Sequence, residues 1–125
     1  MFWNIFYIIN NNYFFLCVNA GNKDKDFKHI CKYNHFDAEV QDVSNQYAQL
    51  AIQGPDSRKI LQSITNINLS SIPYYCFIQG QIEGIPSIIA RTGYTGEDGF
   101  EIYFSPDSAE EIWTEINISG KPFSM

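Results

Sequence analysis

The residues best suited to chemistry lie in one glycine-rich segment, residues 91–101, which reads RTGYTGEDGFE. Its three glycines let the backbone approach a ligand closely, because glycine lacks a Cβ and tolerates unusual backbone angles. Tyr94 and several acids lie on the same segment. The glycine spacing matches neither a P-loop nor a dinucleotide-binding fingerprint, and acids stand where a phosphate would be repelled. The segment therefore predicts a binding loop that is not a phosphate cradle, or a plain turn between two strands.

Glu101 is the strongest candidate for a ligand-binding side chain. The two-residue alternation of residues 99–104 predicts a strand on which Phe100, Ile102 and Phe104 face the core. Glu101 and Tyr103 then face the other way. A fixed carboxylate presents two acceptor oxygens in one plane, which suits the planar, guanidine-like edge of an arginine or of a pterin ring. Glu101 is therefore expected to face water or a ligand, and an ion pair with Arg91 is the structural alternative.

A second group of polar candidates lies where an N-terminal strand meets a helix, in residues 18–22, VNAGN. Asn22 is expected to cap that helix, which leaves the Asn19 amide available to a ligand. Cys17, in the preceding strand, is predicted to behave as a small apolar residue. The three cysteines form no metal-ligand spacing, so we predict reduced, semi-buried thiols and no bound metal.

The composition excludes several broad classes of protein. With 45% hydrophobic and 18% charged residues, a chain of 125 residues can bury one core and is not expected to be disordered. Its formal net charge of −6 has the wrong sign for clamping many phosphates, so nucleic acid is not an expected partner. The apolar residues 1–9 precede three asparagines and carry no positive charge, so we expect neither a signal peptide nor a membrane span.

The elements that must position these residues follow from the apolar periodicity. The pattern predicts a hairpin of strands 5–9 and 13–18, a helix from Asn22 to Lys32, strands 38–43 and 47–53, a helix over 56–64, a hairpin of 74–82 and 85–90, a strand 99–104 and a helix over 107–116. The apolar stripe of the last helix includes Ile112, Trp113 and Ile116. The chain is therefore predicted to be α+β, with helices on one face of a mostly antiparallel sheet.

Three segments together resemble a known enzyme family. They are residues 14–26 (FFLCVNAGNKDKD), 47–55 (YAQLAIQGP) and 91–102 (RTGYTGEDGFEI). In this order and spacing they resemble the aminomethyltransferase of the glycine cleavage system, the T-protein. The resemblance covers the chain from about Ile5 to about Gly120. It identifies the chain as the central part of such an enzyme, with the folate-binding T-protein fold.

The resemblance implies a tetrahydrofolate-dependent transferase of glycine catabolism and one-carbon metabolism. Such an enzyme takes the one-carbon unit from the aminomethyl-lipoyl H-protein, releases ammonia and forms methylenetetrahydrofolate. The resemblance further implies that Glu101 holds the pterin, that Tyr94 and Asn19 line the folate pocket, and that Cys17 contacts the folate. The implied partners are folate and the lipoylated H-protein, without metal, nucleic acid or membrane. The implied compartment is the cytoplasm for a bacterial source, the favoured case, and the mitochondrial matrix for a eukaryotic one.

The same comparison shows where this sequence departs from the family. The family's catalytic aspartate falls near Trp3, so no catalytic residue is assigned in this chain. A Gly-Ala-Arg-Asp run with a folate-binding arginine is expected shortly after Gly120, but the sequence ends at Met125 without it. We therefore expect an inactive fragment with two parts. Residues 1–46 would be a partial N-terminal folate-binding subdomain, and residues 47–125 a ferredoxin-like α+β subdomain truncated at its C-terminus.

Two other functions are compatible with the sequence. One is a noncatalytic folate-binding module of the same fold, and the other is a structural remnant that binds nothing. Relatives that assist iron–sulfur assembly carry a Lys-Gly-Cys-aromatic-x-Gly-Gln-Glu run, and the sequence lacks it.

Overall fold

A computed structural model describes residues 5–10 and 12–123 of the chain. The chain divides into two compact units, Met1–Val43 and Ser44–Met125. Short 3-10 turns link the longer elements at Ala20–Asn22, Ser44–Gln46, Leu69–Ser71, Pro106–Ser108 and Lys121–Phe123.

The first unit consists of a hairpin followed by a helix. Strands β1 (Ile5–Asn10) and β2 (Tyr13–Cys17) pair antiparallel, as the sequence predicted. Helix α1 (Lys23–Tyr33) carries acids in its first turn and a lysine in its last, which suits the helix dipole. Residues 38–43, predicted as a strand, are irregular, so that prediction is wrong.

The cap of α1 also differs from the prediction. Asn22 occupies the N-cap position, but its side chain makes no capping hydrogen bond. Asn19 instead accepts a hydrogen bond from the backbone N–H of Gly21, at 3.2 Å, and so begins the short 3-10 turn that precedes the helix. The extra turn moves the capping role three residues upstream, so the Asn19 amide oxygen is not left unengaged.

The second unit is a four-stranded antiparallel sheet. Its strands β3 (Ala48–Gln53), β4 (Phe77–Ile82), β5 (Ile85–Ala90) and β6 (Gly99–Phe104) lie in the order β3–β6–β5–β4. Helix α2 (Ser57–Gln62) follows β3 and helix α3 (Ala109–Gly120) follows β6. This confirms the α+β class and the predicted order of elements. The order differs from the ferredoxin-like one, which requires a helix between the strands named here β5 and β6.

Both helices pack on the same face of this sheet. Phe100 and Ile102 of β6 lie in one apolar core with Leu61 of α2 and Ile112 of α3, all four fully buried. Trp113, predicted to share the buried stripe, is 58% exposed. A residue that directly follows Ile112 is turned about 100° around the helix, which places its side chain at the rim of the stripe.

Candidate functional site

The glycine-rich loop connects the neighbouring strands β5 and β6 through residues 91–98. Gly93 has a φ of +155° and Gly96 a φ of +82°, a region of backbone space that favours glycine over other residues. Two glycines therefore determine the shape of the loop.

Asp98 anchors the C-terminal end of the loop. Its Oδ1 accepts a hydrogen bond from Arg91 Nε at 2.8 Å, and its Oδ2 accepts one from the guanidinium of Arg58. Its backbone carbonyl accepts from Gly54 N at 2.9 Å and from Ser57 Oγ at 3.0 Å. The start of the loop is thus tied to its end and to helix α2.

Acid is expected to weaken this anchor. Burial raises the pKa of Asp98, but the hydrogen bonds and charges of Arg91 and Arg58 outweigh it and hold the pKa below the ordinary 3.8. The stabilisation is therefore present above that value and is lost as the pH falls through the lowered pKa of the folded state. We expect Asp98→Asn to destabilise the chain by about 1–3 kcal/mol at pH 7.

Urea unfolding followed by circular dichroism between about pH 6 and pH 2 tests this expectation. The free energy of unfolding of the variant should fall less steeply below about pH 4 than that of the original chain. Identical slopes for the two proteins would show that Asp98 is not a source of the acid sensitivity.

Gln53, at the end of β3, fills the inside of the loop. Its Nε2 donates to the carbonyl oxygens of Thr92 at 3.1 Å and Phe100 at 3.4 Å. A Cβ added at Gly93 or at Gly99 would lie 2.1 Å from Gln53 Oε1. A side chain at either position would therefore force the flexible end of Gln53 to move away from these carbonyls.

A substitution at Gly99 tests this packing directly. Gly99→Ala should displace the Gln53 amide from the carbonyls of Thr92 and Phe100, and the lost hydrogen bonds should destabilise the chain by about 1–3 kcal/mol. In a Gln53→Ala background the same substitution should cost at least about 1 kcal/mol less, because the clashing amide is absent. A double-mutant cycle measured by urea unfolding gives both values, and strictly additive effects would contradict the contact.

Glu101 is nearly buried, at 8% exposure, on the sheet face opposite the helices. Its Oε1 accepts from Gln49 Nε2 at 2.7 Å, and its Oε2 accepts from the Thr92 hydroxyl. The expected alternative of an ion pair with Arg91 is wrong, because Arg91 pairs with Asp98. Tyr103, on the same face, is also buried, so neither side chain of this face is directed into water.

The surroundings of Glu101 are unusual for a nearly buried acidic side chain. Among the residues that the structure describes, no lysine, arginine or histidine forms an ion pair with this carboxylate. A buried carboxylate is costly unless hydrogen bonds or an opposite charge compensate it. The two neutral donors use about two of its four lone-pair sites, so the group keeps acceptor capacity for a ligand that brings further donors.

The other three predicted binding residues lie in different surroundings. Tyr94 is at the tip of the loop, and its side chain is 98% exposed. Asn19 and Cys17 belong to the first unit, where Asn19 is exposed and Cys17 is half-buried in β2. Within the second unit, Tyr94 thus lies in the loop between β5 and β6. Glu101 lies in β6, directly after that loop.

Cys31 and Cys76 are exposed, so the prediction of semi-buried thiols is wrong for these two. Trp3, near which the family's catalytic aspartate falls, lies outside the described residues. In the described part of the chain, no cluster of His, Cys, Asp and Glu side chains is placed to hold a metal ion, and no helix there could cross a membrane.

Gln49, Gln53 and Thr92 are site residues that the sequence analysis did not single out. Two of them lie on β3, which pairs with β6 so that Gln49 faces Tyr103 and Gln53 faces Gly99. The two glutamines are four residues apart and so share one face of β3, but their partners can be identified only from the pairing of the two strands.

Comparisons with known proteins agree on one family. A family model described as the GCVT N-terminal domain matches residues 4–125. The chain is 43% identical over 122 residues to an aminomethyltransferase of Flavobacterium psychrophilum, which covers 97% of this chain and 34% of that protein. It is 46% identical over 114 residues to an aminomethyltransferase of Desulforamulus reducens, covering 91% and 31% of the two chains. The chain spans about a third of the length of these curated relatives.

Proposed function

We propose, since the chain belongs to the GCVT N-terminal domain family, that it provides the pterin-binding part of an aminomethyltransferase of the glycine cleavage system. The proposed reaction transfers the one-carbon unit from the aminomethyl-lipoyl H-protein to tetrahydrofolate and releases ammonia. Tetrahydrofolate is the substrate and the lipoylated H-protein the partner. The setting would be the cytoplasm of a bacterial cell or the mitochondrial matrix. In this proposal the first unit is part of the N-terminal folate-binding subdomain.

The state of Glu101 is the observation that carries the proposal. Its carboxylate is nearly buried, is held by two neutral donors and has no cationic partner in the described residues. A pterin offers an amino group and a ring N–H side by side, which match two carboxylate oxygens as an arginine does. Because Gln49 and Thr92 already fix the carboxylate, little side-chain freedom would be lost on binding.

Folate-binding roles are also proposed for three further residues, one in the second unit and two in the first. Tyr94, exposed on a loop that glycines shape, is proposed to pack its ring against the bound folate. Asn19 is proposed to donate through its side-chain nitrogen, since its oxygen already accepts from Gly21. Cys17 is proposed as a small contact residue in β2.

Glu101 is proposed to bind and orient the pterin without taking part in proton transfer. Release of ammonia and attack by a folate nitrogen require a positioned acid or base. A carboxylate engaged with Gln49, Thr92 and the pterin edge is held away from the reacting nitrogen, and a displacement of about 1 Å can cost about a hundredfold in rate. The catalytic group is therefore expected elsewhere in the enzyme.

Titration of tetrahydrofolate into the 125-residue chain by isothermal calorimetry tests the proposal. We expect saturable binding of one folate per chain. p-Aminobenzoyl-glutamate, which lacks the pterin, should bind at least tenfold more weakly because it offers Glu101 no donors. Absence of tetrahydrofolate binding would instead support the open alternative of a remnant that binds nothing.

The expected inactivity of the chain by itself is a separate prediction. The assay measures methylenetetrahydrofolate formed from aminomethylated H-protein, with the Flavobacterium psychrophilum aminomethyltransferase as the reference. We expect this chain to be slower by at least about 10²-fold, because Trp3 cannot serve as an acid or base. Binding without turnover would fit the noncatalytic folate-binding module for this chain. Turnover within tenfold of the relative would contradict the prediction.

A further inference from the structure

We infer that Gln53 is a positioning residue of this site, holding the glycine-rich loop and, through Thr92, the Glu101 carboxylate. The inference rests on the proposed function, because it assigns to Gln53 an effect on folate binding. Gln53 itself is not proposed to touch the ligand.

The two carbonyl groups that Gln53 binds have a particular place in the chain. One belongs to Thr92, whose hydroxyl donates to Glu101, and the other belongs to Phe100, the residue directly before Glu101. One side-chain amide therefore holds both the backbone of the residue that donates to the carboxylate and the backbone that directly precedes Glu101. Thr92 is 1% exposed and has little room to find another position for its hydroxyl.

The orientation of the Gln53 amide is also determined by its surroundings. Its Oε1 accepts from the Thr95 hydroxyl at 3.3 Å, while its Nε2 faces the two carbonyl oxygens. A rotated amide would place an oxygen against two oxygens, which repel it. Gly93 and Gly99 supply the space for the amide, as a Cβ at either would lie 2.1 Å from Oε1.

Without this amide, the loop would lose its only described side-chain donor to the carbonyls of Thr92 and Phe100. Thr92 could then shift, and the carboxylate would lose the fixed direction in which it meets the pterin. Since displacements of about 1 Å are costly in a preorganised site, we expect at least a tenfold loss of folate affinity.

The chain offers a matched control in Gln62. Its Nε2 also donates to two backbone carbonyls, those of Thr65 at 3.3 Å and Ile67 at 2.8 Å, and its Oε1 accepts from Leu69 N at 3.0 Å. It holds the connection that follows α2 and makes no contact with the glycine-rich loop among its described hydrogen bonds. The same substitution at both positions separates positioning of the site from general loss of stability.

The experiment compares Gln53→Met with Gln62→Met in the full 125-residue chain. Methionine has a similar length and no hydrogen-bond donor to carbonyls. Hydrogen exchange of the backbone amides is measured first, without folate, and tetrahydrofolate affinity is then measured by calorimetry. We expect Gln53→Met to speed exchange in residues 91–101 and to weaken binding, each at least tenfold. Gln62→Met should speed exchange only near residues 65–69 and leave affinity within twofold.

Affinity of Gln53→Met within twofold of the original chain would overturn the inference, and so would an equal loss in Gln62→Met. If the original chain itself fails to bind tetrahydrofolate, the proposed function fails and the exchange measurement alone decides: unchanged exchange in residues 91–101 overturns the positioning role. Should Gln53→Met not fold, Gln53→Asn, whose amide ends one methylene short of both carbonyls, is measured against Gln62→Asn with the same expected outcomes.

Discussion

Replacing Glu101 by glutamine is expected to weaken tetrahydrofolate binding by roughly a hundredfold, equivalent to about 3 kcal/mol. The carboxylate offers acceptors on both of its oxygens, whereas the amide offers one acceptor and one donor. One of the two pterin contacts then becomes a repulsion between two donors. The fold should tolerate the change, because the Thr92 hydroxyl can rotate and accept from the new amide.

Calorimetric titration of the original chain and the variant measures this difference. Glu97→Gln is the matched control, since Glu97 is an exposed acid of the same loop, and its affinity should stay within twofold. Equal affinities for Glu101→Gln and the original chain would remove Glu101 from the binding site and leave its carboxylate a purely structural role.

Phe100→Ala is expected to have the largest effect on stability, about 3–5 kcal/mol, because the substitution leaves a cavity in the core. Phe100 is fully buried between the sheet and its helices. Trp113→Ala removes a larger side chain that is mostly exposed, and it should cost less than about 1 kcal/mol. Urea unfolding of the two variants gives both values, and a Trp113 effect as large as that of Phe100 would contradict the packing described here.

Much of the second unit was predictable because its periodicities are simple. The alternation in β6 gave the core face of Phe100 and Ile102, and the spacing in the last helix gave Ile112 and Ile116. The turn at Glu83 and Gly84, with φ of +48° and +81°, matches the two-residue hairpin that the sequence predicted. In each case a local pattern and the tertiary packing favour the same structure.

The errors occurred where a local pattern allowed more than one outcome. Residues 38–43 alternate loosely, but a strand requires a partner, and the structure pairs them with none of the strands that it describes. Asn19 and Asn22 are both good capping residues, and the 3-10 turn that selects Asn19 has no clear sequence signal. Trp113 adjoins a buried position and was wrongly included in the apolar stripe.

The contacts of the candidate site needed the three-dimensional structure. From the sequence, Glu101 was considered as the partner of Arg91, and the geometry of the loop pairs Arg91 with Asp98 instead. The roles of Gln49 and Gln53 depend on the pairing of β3 with β6, whose residues are about fifty positions apart in the chain.

A crystal structure of the chain with bound tetrahydrofolate tests the central claim most directly. We predict that both Glu101 carboxylate oxygens lie about 2.7–3.2 Å from the nitrogens of the pterin amino group and the adjacent ring N–H. The hydrogen bonds from Gln49 and Thr92 should be retained in that complex. A pterin bound away from Glu101, with the carboxylate contacting only Gln49 and Thr92, would contradict the proposed site.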